Sequence, residues 1–537
     1  MRLFLCRMTM HDMPKNNKYD SWFELRELHH DLKGKSITGG VSTSAYQLIS
    51  FALNLLATFV LARMLLPSDF GLVGMVTAFT GFAAIIQDLG LSMAVIQKDR
   101  INHQQVSNLF WINVAVCVGI GLSFVLFSPL IVDLYHHDTR IYPIIFSYAA
   151  GISLNSVAIQ HNALLSRQMK FGIIARGEIM ASALSVVCGI GAALLGMGYW
   201  AIVIMNISSG LFYNIIIWIL CDWRPSLPVR KQGIRDFLNF GAGISGFNVI
   251  NYFSRNADNV LIGQRLGPAE VGFYSKAFQL LMLPLNQLRN PLVTVAVPAM
   301  SSLKNDAERY INYYRRFVFI LAFFSMPVVA CLALFSPELI RIVLGTQWAP
   351  SSTIFRGLAL SGFIQPVASS IGLVMISSGY SGRYFIWGCI NASITILGFL
   401  IGIHWGVMGV VLSMVITTYG LLLPSLWYSF KGTPLRIRDF FREISQPFLH
   451  TIIIFCLLWI SRSLLKSLIH PLALFFLTMP AGIAVYYFSW KLYPSGRKKI
   501  KAIEEVFNIV HEKYIGTIPV LNKAFYRPEA GESKRPL

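Results

Sequence analysis

Residues 255–272 read RNADNVLIGQRLGPAEVG. The stretch sets Arg255 and Asp258 inside an apolar run, breaks it at Gly267-Pro268, and opens another apolar run. Ionisable side chains at that depth are costly in a bilayer and mark function. The same break occurs 201 residues earlier, in residues 54–71, NLLATFVLARMLLPSDFG. Leu65, Pro67 and Gly71 repeat as Leu266, Pro268 and Gly272, and Asp69 repeats as Glu270. The repeat falls at the same place in two long hydrophobic arrays, which points to a duplicated architecture.

Composition sets the class. Of 537 residues, 55% are hydrophobic and 13% charged, and mean hydropathy is +0.58. Soluble chains carry about 25% charged residues. With repeated apolar runs of roughly 20 residues, the chain reads as an all-α, polytopic membrane protein. A transmembrane barrel would show short alternating segments instead. About fourteen spans are expected, in two six-helix lobes plus two C-terminal helices. The organisation reads as an N-terminal extension (1–40), an N-lobe (41–222), a linker (223–237), a C-lobe (238–430), spans 13 and 14 (431–491) and a basic tail (492–537).

The formal net charge is +20. The basic residues are scattered between spans, which argues against nucleic acid. If the N-terminus is cytoplasmic, the loops on that side carry eighteen Lys and Arg, against seven on the other. The positive-inside rule therefore puts both termini in the cytoplasm, which needs an even number of spans. The seven cysteines form no CxxC pair and no Cys/His spacing, so neither a disulfide framework nor a metal site is expected. Trp200, Trp348 and Trp405, at span ends, read as interfacial belt residues.

Five charged positions are the candidate site. Asp88 falls on Arg289 at the 201-residue offset. Equal depth and opposite sign suggest a gating ion pair between lobes; the bland alternative is that each caps or snorkels separately. Asp258 lies nine residues before Gly267 and Lys276 nine after it. In a helical hairpin both reach about 13 Å below the turn, so they could pair. Arg255, Lys276 and Arg289 are what a cavity needs for a pyrophosphate, because guanidinium groups bind phosphate oxygens in bidentate fashion. Asparagines in the spans, Asn113, Asn206, Asn256 and Asn259 among them, more often bond neighbouring helices than sugar hydroxyls. There is no Walker loop, GxSxG, HExxH or DxD motif. No catalytic residue and no cofactor are assigned, and the driving force is a substrate gradient or an H+ or Na+ gradient.

Several stretches carry a family resemblance: Arg63 to Gly71 (RMLLPSDFG), Asp88 to Gln97 (DLGLSMAVIQ), Arg255 to Asn259 (RNADN), Gly272 to Ala277 (GFYSKA) and Gly345 to Trp348 (GTQW). The chain resembles the Wzx-type polysaccharide flippases of the multidrug/oligosaccharidyl-lipid/polysaccharide exporter superfamily, in the colanic acid exporter-like branch. The resemblance implies a central cationic cavity and a cargo of undecaprenyl pyrophosphate-linked oligosaccharide. The cargo would be moved across the bacterial plasma membrane for exopolysaccharide or O-antigen assembly. Membrane lipids and other polysaccharide-assembly proteins are the implied partners. Arg255, Asp258 and Asp88 fall on charged positions of that family's pattern; Lys276 departs from it. Two alternatives stay open. One is a cation-coupled small-molecule exporter, which needs an acidic site such as Asp88 or Asp258. The other is an integral-membrane enzyme of glycan assembly.

Overall fold

Two proline turns organise the helices. In the computed structural model, helix α1 (Ile49–Met64) leads into a turn from which α2 (Pro67–Ile86) starts with Pro67 at its first position. Proline suits that position, because the N–H it lacks would have no helical partner there. Asp69 accepts the Leu66 N–H at 2.9 Å, satisfying a donor at the helix start. Next come α3 (Leu91–Gln97), α4 (His103–Leu126), α5 (Ser128–Leu134), α6 (Ile141–Arg167), α7 (Phe171–Leu194) and α8 (Trp200–Leu220). The second copy of the turn joins α9 (256–266) to α10 (Pro268–Ser302). It bends at Gly267, whose φ of +88° suits glycine. After it follow α11 (Ala307–Leu334), α12 (Ser336–Val343), α13 (Ala349–Ala368), α14 (Ser370–Ser377), α15 (Ser381–Gly402), α16 (Gly406–Gly420), α17 (Leu422–Phe430), α18 (Ile437–Leu465) and α19 (Pro471–Lys491).

The structure describes Trp22, Phe23 and residues 49–88, 90–98, 101–229, 252, 256–465, 471–492, 494, 496, 497 and 499–501. Among these there is no strand, and 8 helical runs are long and apolar enough to cross a membrane. One run, Ser381–Phe430, has 50 residues. That is roughly 75 Å of helix, more than twice a bilayer core. It folds back at a 3₁₀ turn, Ile403–Trp405, where the backbones of Gly402 and Gly409 meet. A run is therefore not the same as a crossing. The apolar stretch over residues 70–92 is also not one helix. It breaks after Ile86 and resumes at Leu91, with Gly90 left-handed at φ 68°.

The chain divides into two compact units. The first comprises Met1–Leu283, Leu339–Ser361 and Tyr380–Ser425; the second comprises Pro284–Glu338, Gly362–Gly379 and Leu426–Leu537. In the first unit α4, α6, α7 and α8 pack as neighbours. One core gathers Leu91, Val95, Phe110, Leu164, Ile217 and Trp223. Trp22 joins it at 8% exposure, with the Lys170 Nζ 4.2 Å from its ring centroid. The N-terminal extension is thus part of the core at Trp22.

Residues 221–229 continue from α8 as extended chain. They are strapped to one face of α4, at the helical spacing Gln104, Ser107, Asn108, Trp111. Gln104 donates to the Leu227 carbonyl at 2.8 Å. Ser107 Oγ accepts the Ser226 N–H at 3.1 Å, and Trp111 Nε1 donates to the Ser226 carbonyl at 2.9 Å. The Asn108 amide both donates to the Val229 carbonyl at 2.6 Å and accepts its N–H at 2.9 Å. Side chains thus supply the partners a strand would supply. Each such bond contributes about 1 kcal/mol net. Asn108→Leu is expected to speed chymotryptic cleavage after the buried Trp223 about tenfold or more, because local opening sets that rate. Digestion of the purified protein followed by mass spectrometry checks it, and an unchanged rate counts against the strap.

In the second unit α11 packs against α18, which carries α19. Their core holds Phe319, Phe323, Ile454, Leu458, Tyr486 and Trp490. The two C-terminal helices are thus integrated into this unit. The Asp306 carboxylate accepts the Arg309 N–H at 3.1 Å, capping α11. The helix therefore begins several residues before its apolar part. Arg315 pairs with Asp439 at 2.5 Å, and Arg462 pairs with Glu338 at 2.7 Å.

Candidate functional site

The two copies of the proline turn meet each other. A Cβ on Gly71 would run into the backbone carbonyl of Pro268, and one on Gly272 into that of Pro67. Such reciprocity, residue for matched residue, is what a two-fold relation between duplicated segments produces. Glycine is required at both positions because backbone approaches backbone.

The GTQW stretch braces this junction. Trp348 is fully buried, with its ring edge-on to Phe70 at 5.4 Å and to Phe273 at 6.0 Å. Its indole N–H donates to the Ala62 carbonyl at 2.7 Å. Gln347 donates to the carbonyls of Ala62, at 2.7 Å, and Leu65, at 2.8 Å. These are carbonyls that the end of α1 leaves open. The belt assignment of Trp348 is therefore wrong: its N–H has a better acceptor inside the protein than at the headgroups. Trp405, by contrast, is 71% exposed.

Asp258 lies just below this junction and is 5% exposed. Its Oδ2 accepts the Tyr274 hydroxyl at 2.7 Å, and its Oδ1 accepts the Asn259 N–H at 2.7 Å. Tyr274 is itself fully buried. Lys276 does not pair with Asp258. Its Nζ donates to Gln279 Oε1 at 2.9 Å and sits 4.4 Å from the Phe70 ring centroid, a cation–π contact. The expectation of a pair had the depth right and the angle wrong. Two residues turn an α-helix by about 200°, so Tyr274 faces Asp258 and Lys276 points away.

Asp88 Oδ1 accepts the Ser92 N–H at 2.9 Å and the Ser92 hydroxyl at 2.6 Å. It thereby caps α3 after the break in the span. Arg289 belongs to the second unit, on α10 between Pro284 and Pro291, and the prolines do not end that helix. Arg255 lies outside the described residues, so of the three expected cationic ligands Lys276 and Arg289 are the two the structure places.

The asparagines divide. Asn206 donates to the Tyr148 hydroxyl of a neighbouring helix at 2.6 Å, as expected. Asn54 and Asn256 instead bond carbonyls four residues back in the chain. Asn113, 1% exposed, has no hydrogen-bond partner among the described residues. Gln160 on α6 is likewise buried without one among those residues. What the sequence did not flag is Tyr274. A single tyrosine in an apolar span carries no signal until the hairpin angle is known.

Residues 60–353 match the model of a family described as polysaccharide biosynthesis protein. The chain is 26% identical over 397 residues to the teichuronic acid biosynthesis protein TuaB of Bacillus subtilis (strain 168), an alignment covering 69% of this chain and 77% of TuaB. It is 24% identical over 398 residues to the lipopolysaccharide biosynthesis protein WzxC of Escherichia coli (strain K12), covering 72% and 79%. Its fold is similar to a solved structure of the lipid II flippase MurJ in an inward closed conformation. That match has a TM-score of 0.66 and 16% identity, and covers 83% of this chain and 97% of the other.

Proposed function

We propose, from the premise that this chain belongs to the polysaccharide biosynthesis protein family, that it moves a lipid-linked oligosaccharide across the membrane. The single observation that carries this reading is the joining of that family match to the fold of a lipid II flippase. A multi-pass helical protein of this family has to deal with a cargo whose sugar head cannot cross hydrocarbon unaided. Alternating access at the bilayer midplane solves that problem, while the lipid tail stays in the bilayer.

In this reading the cargo is undecaprenyl pyrophosphate-linked, the membrane is the bacterial plasma membrane, and both termini are cytoplasmic. Arg255, Lys276 and Arg289 bind the phosphates; Asp88 and Asp258 serve gating or coupling. The basic loop asymmetry supports the orientation. Lys276 supports the cavity role by its half-buried place beside Phe70, where its only described partners are a neutral amide and a ring.

Reconstitution tests it. Purified protein in liposomes, given a fluorescent undecaprenyl pyrophosphate oligosaccharide, is expected to expose the label to a membrane-impermeant quencher. Arg255→Ala is expected to lose at least about nine-tenths of that rate, the loss of one charge-assisted phosphate contact. Chemical change of the oligosaccharide would instead identify an enzyme. Ion-dependent efflux of small cations without lipid translocation would identify an exporter.

A further inference from the structure

A cleft of about 480 Å³ opens where the α9–α10 turn, the start of α13 and the α15–α16 turn come together in the first unit. Leu266, Glu270, Thr353, Trp405, Val407 and Met408 line it. Its size is that of a small-molecule site, mostly apolar with a few polar groups. Two of its residues are unlike their surroundings.

Trp405 presents an indole that is 71% exposed. The turn beneath it is rigid. It is a 3₁₀ turn closed by Gly406, with Gly402 and Gly409 in backbone contact. The ring therefore stands exposed in the lining of the cleft, an apolar face with a polar N–H edge.

Glu270 is the second residue. Its duplicate, Asp69, is occupied in capping the Leu66 N–H. The second turn has no such need, because the Gly267 N–H already reaches the Gly263 carbonyl at 3.3 Å. Glu270 is one methylene longer than Asp69 and has no hydrogen-bond or ionic partner among the described residues. Duplication has thus left one carboxylate capping a helix and released the other into a cleft.

We infer that this cleft is a saccharide subsite for the head group of the cargo. A pyranose ring has an apolar C–H face and an edge of hydroxyls. The face stacks on the Trp405 indole; a pair of hydroxyls donates to the Glu270 carboxylate, which is an acceptor only; the Thr353 hydroxyl donates to or accepts from the same edge. None of its lining residues is one of the five charged positions assigned to the phosphates and gating, and it contacts sugar alone. The inference rests on the reading of the cargo as an oligosaccharide-lipid.

The test uses full-length protein in nanodiscs and the soluble oligosaccharide released by mild acid from the lipid carriers of the cells that make it. Saturation-transfer NMR and calorimetry are expected to show binding that weakens about tenfold in Trp405→Ala, as truncation of an aromatic anchor does. Trp405→Phe is expected to stay within about threefold, and Glu270→Gln to weaken about fivefold. Melting temperature is expected to hold in all three, since these side chains line an open cleft. Equal binding by Trp405→Ala and wild type overturns the subsite. So does wild-type protein that translocates the lipid-linked form yet binds no free oligosaccharide. Occupation by tetraethylammonium that the oligosaccharide does not displace also overturns it, marking the cleft as a cation site. Trp405-dependent saccharide binding in protein that fails to translocate supports the subsite and counts against the transport reading alone.

Discussion

Gly71→Ala and Gly272→Ala each lower the melting temperature of the purified protein by about 2 °C or more, while Gly119→Ala leaves it unchanged or slightly raised. The two sensitive glycines lie where one copy of the proline turn meets the other. In each, the added methyl group overlaps a proline carbonyl of the opposite copy. That carbonyl is backbone, so the overlap cannot be relieved by a side-chain rotation. Overpacking of this kind costs about 1–3 kcal/mol, and more where the neighbour is rigid. At Gly119 a Cβ meets nothing within 4 Å, and the helix gains up to about 1 kcal/mol from losing a glycine. Because one junction holds both residues, the double substitution is expected to be less than additive. Thermal unfolding followed by size-exclusion fluorescence checks all four proteins. Similar small shifts at the three sites would remove the reciprocal contact from the account.

Asp258→Ala destabilises the protein by about 1–3 kcal/mol and abolishes translocation, and the addition of Tyr274→Phe restores the stability but not the transport. Truncating Asp258 leaves a fully buried tyrosine hydroxyl whose remaining acceptor is the Met414 sulfur at 4.0 Å, a weak one. Removing both side chains together leaves no side-chain donor stranded, so the double mutant is expected to melt within about 1 °C of wild type. Stability alone would then predict normal transport. A carboxylate kept in a membrane span at the expense of its hydration, however, marks function. The liposome quenching assay on the double mutant separates the two roles: translocation at the wild-type rate would reduce Asp258 to a structural partner of Tyr274.

The same pair shows where reading the sequence stops. That the chain is helical and crosses a membrane repeatedly follows from transfer free energies summed along each run, a local quantity. The matched turns were legible for a local reason too. Proline at the helix start and a break between apolar runs dictate a turn wherever they occur. Depth below the turn could be counted residue by residue, and Asp258 is at the depth expected.

What needed the tertiary structure is everything that depends on the angle around a helix or on close approach between segments far apart in sequence. The partner of Asp258 is Tyr274 because of a 200° difference in facing that hydropathy does not register. Trp348 looks like a headgroup residue by position, and becomes a buried brace because open carbonyls at the end of α1 lie within its reach. The extended strap after α8 is held by four side chains of α4, more than a hundred residues earlier in the chain. Gly71 and Gly272 are identical letters in the sequence, as are Gly119 and Gly191. Only the first two carry the weight of a second backbone, because hydrophobicity decides that a segment is buried in the membrane, whereas steric contact decides against what.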